Sequence, residues 1–311
     1  MKVFALVATL WVVTAAAQPW PSKPLQIWHG FAPGANPDII ARTLQPALSE
    51  RLGQPVVIDS KPGAGGRIAT AFVAKQPADG HSLIMLTGGD GVMAATVTDL
   101  PYDLLRDFAF VSTTTVFPFL VLVSAESPYQ TLGQLIEDAR KRPGKLSYGH
   151  SGIASTLHLA GELLKEQTGI DMVHVPYKGT QVQELVAGRL DMAIQVATSA
   201  MPLIKAGRVR VLAVTSAKRD PSFPDVPAVD ESVPGYEVTS WLGLAAPSRT
   251  SPAIVERLSA EVRAALARED IAARIRATGA EPFAMTSAEF RARVEADILK
   301  WRRLAAKVSL Q

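Results

Sequence analysis

Three short segments carry the residue types that hold an anion without a cation. They are Gly30–Asp38 (GFAPGANPD), Thr87–Asp90 (TGGD) and Tyr148–Thr156 (YGHSGIAST). Each follows an apolar run and precedes a helical stretch, which places it at the carboxyl end of a strand, where ligands of open α/β sheets bind. Glycines, serines and threonines there offer backbone N–H groups and hydroxyls, and a helix N-terminus favours negative charge. None of the three segments contains Lys or Arg. An anionic ligand would be held by N–H dipoles, hydroxyls and water rather than by an ion pair. The candidate ligand-binding residues are Phe31, Gly34, Ala35, Asn36 and Asp38 from the first segment and Thr87 and Gly88 from the second. Gly149, His150, Ser151, Gly152, Ser155 and Thr156 come from the third.

A fourth glycine-rich stretch, Lys61–Gly66 (KPGAGG), follows the short strand Val56–Ile58. It fails as a Walker loop because no Gly-Lys-Ser/Thr follows, and it lacks the third glycine of a dinucleotide fingerprint. It reads as a mainly structural turn beside the cleft.

Catalytic readings are weaker. Gly149-His150-Ser151-Gly152-Ile153 approaches a nucleophile elbow, but the pattern requires glycine where Ile153 stands. A secreted serine hydrolase using Ser151, with His158 or His174 as base, is the alternative reading. The five histidines, His29, His81, His150, His158 and His174, show no H-x-x-x-H spacing, so neither a metal nor a cofactor is expected. Asp38, Asp79, Asp90 and Asp191 would pair as catalytic carboxylates only if folding gathered them. Trp28, Phe31, Tyr148, Tyr177 and Trp241 are candidates for an apolar cleft wall. Cysteine is absent, which excludes disulfides and thiolate chemistry.

These loops need a scaffold. Apolar runs alternate with amphipathic stretches, the pattern of βα units in an α/β protein with mostly parallel sheets. The expected strands are Leu25–His29, Val56–Ile58, Ser82–Leu86, Phe108–Ser112, Phe119–Val123, Leu146–Tyr148, Met172–Val175, Met192–Gln195 and Val209–Val214. Ile40, Leu44, Leu48 and Leu52 mark one helical face, with Asn36 as its expected cap and Asp38 at its positive end. Thr286 and Glu289 predict a capping box ahead of a long last helix carrying Phe290, Val294, Ile298 and Trp301. A chain of 311 residues suits two lobes. Crossings between them are expected at Pro118–Phe119 and within Glu237–Leu244.

Residues Met1–Ala17 read as a secretory signal: one lysine, an apolar run, then Ala15-Ala16-Ala17 before Gln18. Of 32 Lys and Arg, only Lys2 lies in that leader, so the rest of the chain carries a net charge of +2 against 29 acidic residues. The basic residues are scattered, which argues against a nucleic-acid partner.

The segments KPGAGG, GFAPGANPD, PADGHSLIML, YGHSG, VPYKG, AGRLDMAI, IKAGRVRVLAVTS and FPDVPAVDE together resemble the Bug family, the periplasmic solute-binding proteins of tripartite tricarboxylate transporters. The resemblance implies a two-lobed periplasmic binding protein of the type II, Venus-flytrap form, with residues 18–118 plus 244–311 as lobe 1 and 119–243 as lobe 2. It also implies a monomer that captures a small organic acid and passes it to inner-membrane carrier subunits, or a sensory protein that presents its closed form to a signalling partner. In the family a carboxylate is held by backbone amides and waters from both lobes. This chain departs from the pattern: Pro37 stands in the first loop, His81 replaces a usual tyrosine, and Gln195 stands where an aspartate is common. Gln195 is therefore a further candidate ligand residue, and the lost negative charge disfavours an amino-acid ammonium group. A non-amino organic acid is the expected ligand.

Overall fold

The computed structural model describes residues 20–177 and 181–308; the expected leader, 1–17, and the Lys178-Gly179 end of VPYKG lie outside the described residues. The chain opens with β1 (Leu25–His29), α1 (Asn36–Leu52), β2 (Val56–Ser60), α2 (Arg67–Val73), β3 (Ser82–Thr87) and α3 (Gly88–Thr96). After β4 (Phe108–Ser124) come α4 (Leu132–Lys141), β5 (Ser147–His150), α5 (Thr156–Thr168), β6 (Val173–Pro176), α6 (Val182–Val186), β7 (Met192–Val196), α7 (Ala197–Lys205) and β8 (Val209–Val214). The last third supplies β9 (Thr239–Pro247), α8 (Pro252–Leu266), α9 (Glu269–Arg276), β10 (Glu281–Pro282) and α10 (Ser287–Ala305).

The strands form a curled mixed sheet in the order β2-β1-β3-β9-β4-β7-β5-β6, with β8 and β10 also paired to β4. Pairing is parallel in the βα units, β1 with β2 and β3, and β5 with β6 and β7. It is antiparallel wherever β4 or β9 takes part. Residues 108–118 of β4 pair with β9, and from Phe119 onward the strand pairs with β7 and β8.

The two expected strands Phe108–Ser112 and Phe119–Val123 are thus one continuous strand. The polar run between them is buried, and three of its hydroxyls find carbonyl acceptors, while Oγ1 of Thr115 is buried without a partner among the described residues. Ser112 donates to Met285 O at 2.7 Å, Thr113 to Phe283 O at 2.6 Å and Thr114 to Leu242 O at 3.1 Å.

The helices form where the apolar spacing demands. Ile40, Leu44, Leu48 and Leu52 of α1 are all buried, each such side chain contributing about 1.5–3 kcal/mol. Gly53, at φ 67°, ends that helix with its N–H on Ser49 O. Asn36 is not the cap: Ala35 occupies that position and Asn36 is the first helical residue. The Thr286–Glu289 box forms as expected, and α10 buries Phe290, Val294, Ile298 and Trp301. The ring of Phe290 meets Trp241 and Phe110 edge-on at 4.9 and 5.1 Å. Trp241 and Tyr148 are therefore core residues and line no cleft wall.

Candidate functional site

The first turns of α3 and α5 face each other. A Cβ on Gly89 would stand 3.9 Å from Oγ1 of Thr156. Each helix end is built by a hydroxyl cap. Thr87 Oγ1 accepts the Gly89 N–H at 3.1 Å, and Ser155 Oγ accepts the His158 N–H at 3.1 Å. Asp90 completes a capping box, taking the Thr87 N–H at 2.8 Å and the hydroxyls of Thr87 and Thr70. Burial is the largest influence on the Asp90 carboxyl and pushes its pKa up despite those donors. Gly88 lets the helix start lie close against β9, since a Cβ there would come 2.6 Å from Ser240 Oγ. Two positive helix ends set nose to nose repel unless a negative group lies between them. The arrangement suits a carboxylate.

The first loop is organised from behind. Asp38 is buried, lies 3.0 Å from Nε2 of His29, pairs with Nε of Arg42 at 2.9 Å and accepts the Gly34 N–H at 2.9 Å. Burial opposes its charge, but Arg42 and the Gly34 N–H outweigh that and hold its carboxyl below the ordinary carboxylate range. Its carboxylate thus holds the framework of the loop. Gly34, at φ 81°, has open space beside it, and Phe31 is half-buried. The Oδ1 atom of Asn36 is buried without a hydrogen-bond partner among the described residues.

The KPGAGG turn packs against this loop. A Cβ on Gly30 would fall 2.2 Å from Gly66 Cα, and one on Gly66 would meet the Phe31 ring at 3.4 Å. Gly63, Ala64, Gly65 and Gly66 all have positive φ. Close backbone approach accounts for Gly30 and Gly66, and positive φ for Gly63 and Gly65.

The third loop is pinned from below by histidines. Gly149 lies mid-strand against Leu190 and Gln181, where a Cβ would clash at 2.5 Å. His150 is fully buried, with Nδ1 2.8 Å from Gly152 O and Nε2 3.2 Å from Nδ1 of His174. The Ala154 N–H donates to Nδ1 of His158 at 3.1 Å. Ser151 is exposed, while Ser155 and Thr156 begin the helix. Of the residues expected in this segment, Gly149 and His150 sit behind the loop. Burial, then the neighbouring histidine, holds both His150 and His158 down to about 4, so both rings are neutral at pH 7. His150 and His158 are oriented by Gly152, His174 and Ala154, not by Ser151, so the elbow lacks its base.

Gln195 is buried at the end of β7. Its Nε2 donates to Gln181 Oε1 at 3.3 Å and its Oε1 accepts the Val196 N–H at 2.9 Å. The four aspartates do not gather. Asp79 pairs with Lys23, Asp191 accepts the Ser147 N–H, and Asp38 and Asp90 have the separate partners given above. A surface cavity of about 410 Å³, lined by Ser124, Tyr129, Arg142 and Asp191, lies away from these loops. Sequence spacing missed the grouping of His150, His158 and His174, which only the packing of α5 on β5 and β6 creates.

Residues 40–310 match the family described as the tripartite tricarboxylate transporter family receptor. A protein encoded in the tcbD–tcbE intergenic region of Pseudomonas sp. strain P51 is 40% identical over 264 residues, 84% of this chain and 79% of its own length. Among solved structures, Rpa4515 of R. palustris with adipate superposes with a TM-score of 0.86 at 37% identity, covering 92% of this chain and 97% of that one. MatC from Rhodopseudomonas palustris, with bound malate, gives a TM-score of 0.81 at 30% identity, covering 92% and 99%.

Proposed function

This chain belongs to the receptor family of tripartite tricarboxylate transporters, and on that premise we propose that it captures a small, non-amino organic acid between two lobes outside the cytoplasm and hands it to inner-membrane carrier subunits. It is a binding protein and not an enzyme. The observation that carries the ligand's chemistry is the approach of the α3 and α5 N-termini across Gly89 and Thr156. No cation stands in the loops that meet there, so one carboxylate would complete both helix ends with N–H and hydroxyl donors. The adipate and malate held by the two structural relatives support a dicarboxylate.

In this reading lobe 1 comprises residues 18–118 and 244–311, and lobe 2 comprises 119–243. The change of pairing partner along β4 at Pro118–Phe119 supports the first crossing. Closure brings Thr87 and Gly88 against Ser151, Gly152, Ser155 and Thr156, and the carrier meets both lobes as one surface only then. Phe31, Gly34, Ala35 and Asn36 wall the first loop's side, and buried Gln195 fixes the floor of lobe 2. The mature chain begins near Gln18, is periplasmic and acts as a monomer.

A thermal-shift screen against adipate, malate, tricarboxylates, aromatic acids and acidic amino acids tests the proposal. A ligand at a hundred times its Kd stabilises by about 2.7 kcal/mol. A dicarboxylate hit is the expected result. Silence from every acid on folded, ligand-free protein, or preference for an amino acid, would overturn it.

A further inference from the structure

We propose that His150, His158 and His174 bind a divalent transition-metal ion in the second lobe, directly behind the loop 151–155. His150 ends β5, His174 lies on the neighbouring strand β6, and His158 sits in the first turn of α5, which covers both. One ring nitrogen from each lies within 4.8 Å of the others. Nε2 of His150 and Nδ1 of His174 are already 3.2 Å apart. Two nitrogens bonded to one tetrahedral ion at 2.0–2.1 Å are separated by roughly 3.3 Å.

The third ring carries the independent sign. Nδ1 of His158 accepts the Ala154 N–H, so the neutral ring keeps its proton on Nε2. That Nε2 is buried with no hydrogen-bond partner among the described residues, and the ring itself is 0% exposed. Once its proton shifts to Nδ1, this buried Nε2 has a lone pair to give to an ion. All three donors are imidazoles, which suit zinc, nickel or copper and not calcium or magnesium. Gly152 O, 2.8 Å from Nδ1 of His150, supplies the outer hydrogen bond that fixes that ring. His174 is half-buried on the outermost strand of the sheet order and gives the ion an entry path.

Loading the site has a consequence for the loop. The rings of His150 and His158 are stacked at 4.3 Å with a 15° tilt, so His158 must turn to share an ion with His150. Coordination through Nε2 moves the His158 proton to Nδ1, where the Ala154 N–H no longer finds an acceptor. Ala154, held at φ 57°, is then released, and metal occupancy alters the loop whatever ligand the cleft takes.

The test is titration of untagged, chelator-stripped protein with zinc chloride by calorimetry, with nitrogen-15 histidine spectra recorded alongside. The expected result is one ion per chain with micromolar or tighter affinity, and shifts confined to the ring nitrogens of His150, His158 and His174. His174→Ala, at the half-buried position, should weaken binding at least thirtyfold. Zinc affinity weaker than micromolar, or shifts outside these three rings, would overturn the proposal. The spectra of the unaltered protein decide the matter even if a variant misfolds, and neither readout depends on an organic acid.

Discussion

Oγ1 of Thr156 stands 3.9 Å from the point where a side chain on Gly89 would begin, an ordinary contact distance, so a side chain at Gly89 would reach the N-terminal turn of α5. Gly89 has no positive φ, so the backbone tolerates a larger residue there once Thr87 Oγ1, 3.1 Å from the new Cβ, gives by a few tenths of an ångström. Gly89→Val should leave the fold intact and lower affinity for a dicarboxylate at least tenfold, measured by calorimetry. Unchanged affinity would move the ligand away from these helix ends.

The two serines of the third loop should separate cleanly. Ser155→Ala removes the α5 cap on the His158 N–H and should cost about 1 kcal/mol of stability in denaturant unfolding, together with some affinity. Ser151 is exposed, so Ser151→Ala should change stability by less than about 0.5 kcal/mol while weakening the ligand several-fold. Equal loss of stability in both variants would contradict this division of roles.

The carboxylate of Asp38 holds His29, Arg42 and the Gly34 N–H together. Removing one member of a fully buried pair costs about 3–5 kcal/mol, and Arg42 is half-exposed, so Asp38→Asn should cost about 2–3 kcal/mol. Urea melts at pH 7 check the figure.

Burial dominates the ionisation of His29 and lowers its pKa, although Asp38 pulls the other way. A histidine held neutral in the fold contributes stability that is fully present above the unfolded value near 6.5 and is lost as pH falls below it. Stability of the native protein should therefore decline from about pH 6.5 downward. His29→Gln should flatten that decline by up to one proton. Parallel pH profiles of the two proteins would contradict the assignment.

Gly30→Ala sets a methyl group 2.2 Å from Gly66 Cα, backbone against backbone, where no side chain can yield. A loss of about 1–3 kcal/mol or more is expected in thermal unfolding. A neutral outcome would mean that the glycine-rich turn serves the ligand and not the packing.

Much of the scaffold was legible in the chain because local signals agree with the fold. β1 and β8 have the bounds that their apolar runs give, and the capping box of α10 forms where Thr286 and Glu289 stand. Less legible was what depends on distant partners. The polar run Ser112–Thr114 looks like a break in a strand until Met285, Phe283 and Leu242 supply its acceptors. Alternation along β5 does not say which face is covered, so Gly149 and His150 read as loop donors although both point into the lobe. The three histidines are eight and sixteen positions apart, on a strand, a helix and another strand, and only the seating of α5 over β5 and β6 unites them.

The place of β9 between β3 and β4 also orders events in time. The strand order has no link between β3 and β4 until residues 239–247 have been made. Long-range pairing of this kind is slow and delays compaction until most of the polypeptide is present. Under the proposed placement outside the cytoplasm, this topology would keep the chain loose while it is threaded through a translocation channel, and a fragment ending before Thr239 should stay sensitive to protease.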